Sequence, residues 1–255
     1  MRKLTGQFLV SLLLTTLVPS LLSAQSSTSL TANTGPDPEV DEIVNAMQKN
    51  QSRINSYSCD VEGDNTIRGK TVHMQYHLAV DLVNKKTHII MDKSGLPMEM
   101  IFEGTTLYLR HSDGKYYPRP LTAEGQKALD EMLGSSLNSI NHRDPRSLYN
   151  FKRNKGKDKG SLKALEAFTK GKRKMFHKMT QWVDMQTGIA METELEDEKG
   201  NKLLNMKTNK VDKVHGISFV TEQETDADSP AGKVAGATKM KSVKVNEDLS
   251  EEFQK

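Results

Sequence analysis

The chain has 255 residues, of which 35% are apolar, 5% aromatic and 27% charged, with a formal net charge of +3 and one cysteine. An apolar fraction this low excludes a polytopic membrane protein, and it argues against a large doubly wound α/β enzyme, whose parallel strands read as continuous apolar runs. One cysteine excludes a disulfide scaffold and a Cys-rich zinc module. Arg2 and Lys3 precede a mostly apolar stretch, residues 8–18, which Pro19 interrupts before Leu22-Ser23-Ala24. This is the pattern of a secretory signal peptide, residues 1–24, cut near Ala24; the run is too short and interrupted to span a bilayer comfortably. An uncleaved N-terminal anchor is the alternative. Residues 25–38, rich in Ser, Thr, Asn, Gly and Pro, read as a disordered leader.

Val40, Ile43, Val44, Met47 and Ile54 recur at helical spacing, with Asp41, Glu42, Asn45, Lys49 and Asn50 on the other side, predicting an amphipathic helix over 38–54. Residues 57–67 read as a strand. Over 73–83, Met74, Tyr76, Leu78, Val80 and Leu82 alternate with His73, Gln75, His77 and Asp81, the pattern of a half-buried antiparallel strand. Residues 86–92 are another candidate, and Met98, Met100 and Phe102 alternate again. Gly104 turns the chain into Leu107 and Leu109, and Asp113-Gly114 is a hairpin signal leading to 115–119. Residues 121–140 return to helical period through Leu121, Leu129, Met132, Leu133, Leu137 and Ile140. Strands resume with 176–184, which holds Trp182, then Ile189–Leu195 with Met191 alternating inward, 203–209, 217–224 with Phe219, and 238–245; residues 226–237 read as loose. The order is helix, strands, helical insert, strands: one curved antiparallel sheet with helices against it.

Residues 150–178 hold eleven basic residues against Asp158 and Glu166, a net charge of +9 on a mature chain whose remainder is −8. Leu162, Leu165, Ala167 and Phe168 predict a short helix within it. The segment reads either as a solvated loop and helix or as a surface drawn to anionic headgroups or an acidic partner, with Lys152, Arg153, Lys170, Lys172, Arg173 and Lys174 as the candidates. Nucleic acid fits less well, because no aromatics interleave the charge.

Catalytic motifs are absent. No Gly-x-Ser-x-Gly elbow, His-Glu-x-x-His pair or phosphate-cradling Gly loop occurs. His142-Arg143-Asp144 mimics a kinase catalytic loop, but Pro145 follows and the companion motifs are missing. His73 and His77 are four apart on a strand, a spacing unsuited to a metal pair, so they read as solvated. Cys59 reads as a structural thiol. No catalytic residue, metal or cofactor is predicted. Methionines outnumber phenylalanines 13 to 7. Met74, Met98 and Met100 take inward strand positions, and Met47 and Met132 lie on apolar helix faces. They read either as the lining of an adaptable greasy cavity or as ordinary core filling.

Five motifs occur in order. Ile54-Asn55-Ser56-Tyr57-Ser58-Cys59-Asp60 follows the opening helix. Phe102-Glu103-Gly104-Thr105-Thr106-Leu107-Tyr108 is similar to an Asp-Gly-x-x-Leu-Trp hairpin, Trp182-Val183-Asp184-Met185-Gln186-Thr187-Gly188 to a Val-Asp-x-x-Thr-Gly turn, and Val214-His215-Gly216-Ile217-Ser218-Phe219-Val220-Thr221 to Gly-Ile-x-Phe-Pro-Thr. Asn246-Glu247-Asp248-Leu249-Ser250-Glu251-Glu252-Phe253 closes the series. Together they resemble the periplasmic lipoprotein-carrier superfamily, the LolA-like outer-membrane lipoprotein-sorting proteins. The resemblance implies an α+β, mainly antiparallel fold: an incompletely closed β-barrel with helices covering its hydrophobic concave face, spanning 39–255 as one domain. It implies a monomeric, non-enzymatic periplasmic carrier that shields acyl chains of lipoproteins or lipids, taken from an inner-membrane transporter and passed to an outer-membrane acceptor. The acyl cavity would be lined by Met47, Met74, Tyr76, Leu78 and Val80, by Met98, Met100, Phe102, Leu107 and Leu109, and by Met132, Trp182, Met191 and Phe219. Asn84-Lys85-Lys86-Thr87-His88 lacks the proline and arginine of the family's lid latch. The alternative function is an envelope protein-interaction module acting through 150–178.

Overall fold

The computed structural model describes residues 37–67, 69–93, 96–121, 146, 149–170, 176–229 and 232–255. The expected signal peptide, residues 25–36 of the leader, Met132 with the rest of the helix beyond Leu121, and the His142-Arg143-Asp144 triplet lie outside them.

Helix α1 (Pro38–Gln51) starts where its sequence asks it to. The Asp37 carboxylate accepts the Glu39 N–H at 3.0 Å, Pro38 fills the first turn, and Glu39 and Asp41 sit at the positive end. Val40, Ile43, Val44 and Met47 are its buried stripe. Each aliphatic side chain so buried contributes about 1.5–3 kcal/mol. The helix is shorter than the predicted 38–54. The N–H groups of Arg53 and Ile54 bond back to Asn50 and Gln51, which tightens and ends the last turn, and Ile54 is buried beyond it. The last two leader residues, Asp37 and Pro38, are therefore cap and first turn.

The strands are β1 (Ser56–Ile67), β2 (Lys70–Asp81), β3 (Lys86–Lys93), β4 (Leu96–Glu103), β5 (Thr106–Arg110), β6 (Tyr116–Pro120), β7 (Tyr149–Arg153), β8 (Lys163–Thr169), β9 (Lys178–Asp184), β10 (Ile189–Glu196), β11 (Lys202–Val214), β12 (Ile217–Ser229) and β13 (Gly232–Val245). They form one 13-stranded sheet in the order β6-β5-β4-β3-β2-β1-β13-β12-β11-β10-β9-β8-β7. Two meanders, β1–β6 and β7–β13, are thus joined by the antiparallel β1–β13 pair. Strands β6 and β7 are not paired with each other, so the sheet is a curved, open half-barrel. Pro118 and Pro120 remove donors from the β6 edge.

Helix α1 crosses the strand ends of the second meander on the inner face. Glu39 meets Arg153 of β7 at 3.4 Å, Glu42 meets Lys163 of β8 at 3.1 Å, and Asn50 bonds Ser218 of β12. Val40, Ile43, Val44 and Met47 pack there against Leu165 and Val183.

Two expectations are corrected. Leu162–Phe168 is no helix: Lys163–Thr169 is strand β8, held between β7 and β9. Ala164, Leu165, Glu166 and Ala167 are all buried, so the strand lies under cover on both faces and shows no alternation that would separate it from a helix. The loose stretch 226–237 is also mostly strand, since β12 runs to Ser229 and β13 starts at Gly232. Its Gly236 lies under the Asn65 amide, where an added Cβ would come within 2.0 Å of Oδ1.

Candidate functional site

Cross-strand register builds an apolar wall on the inner face. Tyr57, Cys59 and Val61 of β1 stand opposite Val80, Leu78 and Tyr76 of β2, which stand opposite Thr87, Ile89 and Met91 of β3. Met91, Ile89 and Thr87 face Met98, Met100 and Phe102 of β4, and the last two face Leu109 and Leu107 of β5. Tyr76, Leu78, Val80, Met100, Phe102 and Phe219 belong to one cluster, with Leu107, Leu109 and Leu121 partly buried against it. Burial fades toward β6. Met100 is 3% exposed, Leu109 is half-buried, and Tyr117 opposite Leu109 is 41% exposed. Met98, at the far end of β4, is 36% exposed. The wall therefore ends in an open apolar margin.

The remaining predicted residues are dispersed. Met74 is buried on the same face of β2, its Sδ accepting from Asn65 Nδ2 at 3.3 Å. Met47 is buried under α1 in the separate Leu165–Val183 cluster. Met191 is the extra residue of a bulge in β10 between Ala190 and Glu192. Trp182 lies on the opposite, outer face. Its Nε1 donates to the Lys157 carbonyl at 2.6 Å, and Lys159 Nζ stands 3.7 Å over its ring. Alternation from the inward Val183 dictates that placement.

Six of the eight described basic residues in the 150–178 segment pair with acids within the fold. Arg153 forks onto Asp158 at 2.6 and 2.7 Å, Lys155 meets Glu39 at 2.5 Å, Lys157 meets Glu166 at 3.1 Å, and Lys178 meets Glu196 at 2.7 Å. Lys159 pairs with Glu192. Lys170 donates to the Arg146 carbonyl at 2.6 Å, and Lys152 is exposed. Lys172, Arg173 and Lys174 lie outside the described residues.

The histidines read as solvated each have a partner: His73 with Asp64 at 2.9 Å and His77 with Asp60 at 2.8 Å. Cys59 is fully buried in the apolar wall, and burial, with Asp60 nearby, pushes its thiol up to about 12. Sequence reasoning missed the neutral polar side chains of the inner face: Asn65, Gln181, Thr193, Gln223, Thr225 and Thr238, all buried. A signal existed, since Gln223 and Thr225 continue the inward alternation of Ile217 and Phe219.

No protein-family model and no curated protein matches the sequence. Solved structures do match its shape. A DUF1329-family protein from Desulfovibrio piger superposes with a TM-score of 0.61 at 14% identity, covering 86% of this chain and 97% of that one. An outer-membrane lipoprotein-sorting protein domain from Vibrio parahaemolyticus gives 0.58 at 11% identity, covering 83% and 95%. A LolA-superfamily protein from Nitrosomonas europaea gives 0.54 at 14% identity, covering 85% and 97%. The chain has a LolA-like fold. The quoted motifs fall on its junctions: the entry to β1, the β4–β5, β9–β10 and β11–β12 turns, and the closing segment after β13. In this LolA-like sheet Gly104, Gly188 and Gly216 all adopt positive φ at those turns.

Proposed function

We propose that the protein is an exported, non-enzymatic carrier. It shields acyl chains of lipoproteins or lipids against the inner face of the half-barrel and moves them through the periplasm toward the outer membrane. The observation that carries this reading is the apolar wall of β1–β5, buried from Cys59 to Met100 but left open at its margin, at Met98 and Tyr117. The LolA-like fold supports it. Each buried methylene contributes about 0.8 kcal/mol, so one acyl chain supplies ample affinity. Met74, Met91, Met98 and Met100 give the wall a deformable lining suited to chains of varied shape. Loading from an inner-membrane donor and release to an outer-membrane acceptor belong to the same proposal.

The test is binding of a neutral fluorescent acyl probe to the mature protein, with lipid extraction from protein purified out of its native envelope. Met98→Asp places a charge on the open margin and is expected to weaken probe binding roughly tenfold or more with little change in Tm. A protein that is always purified empty and binds no acyl probe refutes the carrier. Loss of a protein partner on Lys152→Glu, with no acyl binding at all, would favour the interaction module instead.

A further inference from the structure

One rung of β2–β5 is buried although it points away from the apolar wall. Ala79 stands opposite His88, His88 opposite Ile101, and Ile101 opposite Tyr108. Ala79 and Ile101 are fully buried and His88 is 4% exposed. Their cover is the closing segment. Asn246 turns the chain at φ +58°, its side chain bonded to the backbone of Arg53, Asn55 and Ser56. Beyond it the turn Ser250–Phe253 lies on β3, with the Phe253 ring 6.4 Å from that of His88. Lys255 reaches Glu103 and stands 3.4 Å over the Tyr108 ring.

Between these anchors Glu252 sits in a row of alternating charge. Its Oε1 is 3.3 Å from His77 Nε2, and its Oε2 is 3.8 Å from His88 Nδ1. The two histidines are diagonal neighbours on β2 and β3. The far nitrogen of each meets a second carboxylate: His77 Nδ1 meets Asp60 at 2.8 Å, and His88 Nε2 meets Glu99 at 2.9 Å. Both carboxylates are held in the ionised form. The hydrogen bond from His77 lowers Asp60, with Ser242 and Lys244 of β13 assisting. Burial raises Glu99, but Tyr116, Arg110 and His88 outweigh it. An ionised carboxylate only accepts, so the far nitrogen of each ring carries a proton in the neutral and the charged imidazole alike. The nitrogen facing Glu252 then bears a lone pair when the ring is neutral and an N–H only when the ring is charged. His77 Nε2 and His88 Nδ1 have no hydrogen bond among the described residues, so Glu252 is the group they answer to.

We propose that His77 and His88 form a pH-operated clasp, which holds segment 249–255 on the outer face when the rings are charged and releases it when they are neutral. Each imidazolium attracts the Glu252 carboxylate, whereas each neutral ring sets a lone pair against it. Imidazoles change charge between about pH 5 and 8. The segment is therefore held at the acid end of that range and freed at the alkaline end. Asn246, whose bonds all go to backbone, is the hinge. The Lys255–Glu103 pair is partly exposed and too weak to hold the segment alone. Release uncovers Ala79, Ile101 and Phe253, an apolar patch on the side of the sheet opposite the proposed cargo wall.

The experiment is amide hydrogen exchange of the mature protein at about pH 5.5 and about pH 8, with rates corrected for the intrinsic pH dependence of exchange. The Glu252 and Gln254 N–H groups, bonded to the Leu249 and Glu251 carbonyls, should lose protection roughly tenfold or more at the higher pH. Amides of β2 and β3 should stay protected. Glu252→Gln removes the charge that the rings sense and should give equal protection at both pH values. His73→Gln removes a histidine whose partner is Asp64 and should leave the native response intact. Equal protection at the two pH values in the native protein overturns the clasp. So does a response that persists in Glu252→Gln, one that His73→Gln abolishes, or one that β2 and β3 share.

Discussion

Asn50 and Ser218 hold each other at two points. The Asn50 Nδ2 donates to the Ser218 carbonyl at 2.9 Å, and its Oδ1 accepts the Ser218 N–H at 3.1 Å. The amide thus satisfies both backbone groups at the start of β12, and it is buried while doing so. A side chain that periodicity assigns to the polar face of α1 is the pin that fixes the helix to the sheet. Asn50→Ala leaves a buried donor and acceptor unpaired, at about 1–3 kcal/mol. The expected outcome is a fall in Tm of roughly 3–10 °C, measured by thermal unfolding. Asn50→Asp should lose the Nδ2 bond and fall in the same range.

Gly188 is where the helix and the β9–β10 turn approach most closely. It adopts φ +68°, and an added Cβ would lie 2.3 Å from the Ala46 carbonyl oxygen. Gly114 has a similar φ of +78° with nothing within 4 Å of its virtual Cβ. Gly114→Ala should therefore cost only the backbone term, about 1 kcal/mol. Gly188→Ala should add the displacement of α1, for a total of about 2–4 kcal/mol. Denaturant titration of the two variants isolates the helix contact as their difference; equal losses would show that the contact is not tight.

Most of the sheet was legible because its strands alternate. Met74, Tyr76, Leu78 and Val80 are inward in the sequence pattern and in the structure, and the turns at Gly104 and Asp113-Gly114 lie where their chemistry requires. Strand β8 was not legible, because cover on both faces erases alternation. The family resemblance puts Trp182 in the cavity lining, whereas its indole N–H finds the Lys157 carbonyl and its ring a lysine on the outer face. Charge pairing was invisible for a different reason. The acids that neutralise residues 152–178 include Glu39, Glu42, Glu192 and Glu196, distant in sequence and brought together only by the fold.

That pairing separates two neighbours in the basic segment. Arg153 has a buried side chain, forks onto Asp158 and donates to the Ala164 carbonyl at 2.9 Å. Lys152, one residue earlier, points to solvent. Arg153→Ala should destabilise by about 2–4 kcal/mol, because it leaves polar groups of β8 and Asp158 without their donor. Lys152→Ala should stay within about 0.5 kcal/mol. Similar unfolding midpoints for the two variants would mean that the Arg153 pair is solvated and structurally idle.

The outer face carries a proton-linked contribution centred on Glu99. Burial raises this carboxyl, but hydrogen bonds from Tyr116, Arg110 and His88 together outweigh it and hold the pKa below the ordinary carboxylate value. Arg110 Nη1 lies at 2.6 Å and His88 Nε2 at 2.9 Å. The same contact, after burial, pushes the Tyr116 phenol up to about 12. With its pKa depressed in the folded state, Glu99 takes up its proton in the unfolded chain first as pH falls. Its stabilisation is full above the ordinary glutamate pKa of about 4.3 and is lost as pH drops below that through the folded value. Glu99→Gln should therefore be less stable than the native protein at pH 7, by about 1–3 kcal/mol, and the gap should narrow below roughly pH 4. Chemical denaturation at pH 7, 5, 4 and 3 measures it. A gap that stays constant across the series would show that the Glu99 carboxyl is not held down by its three donors.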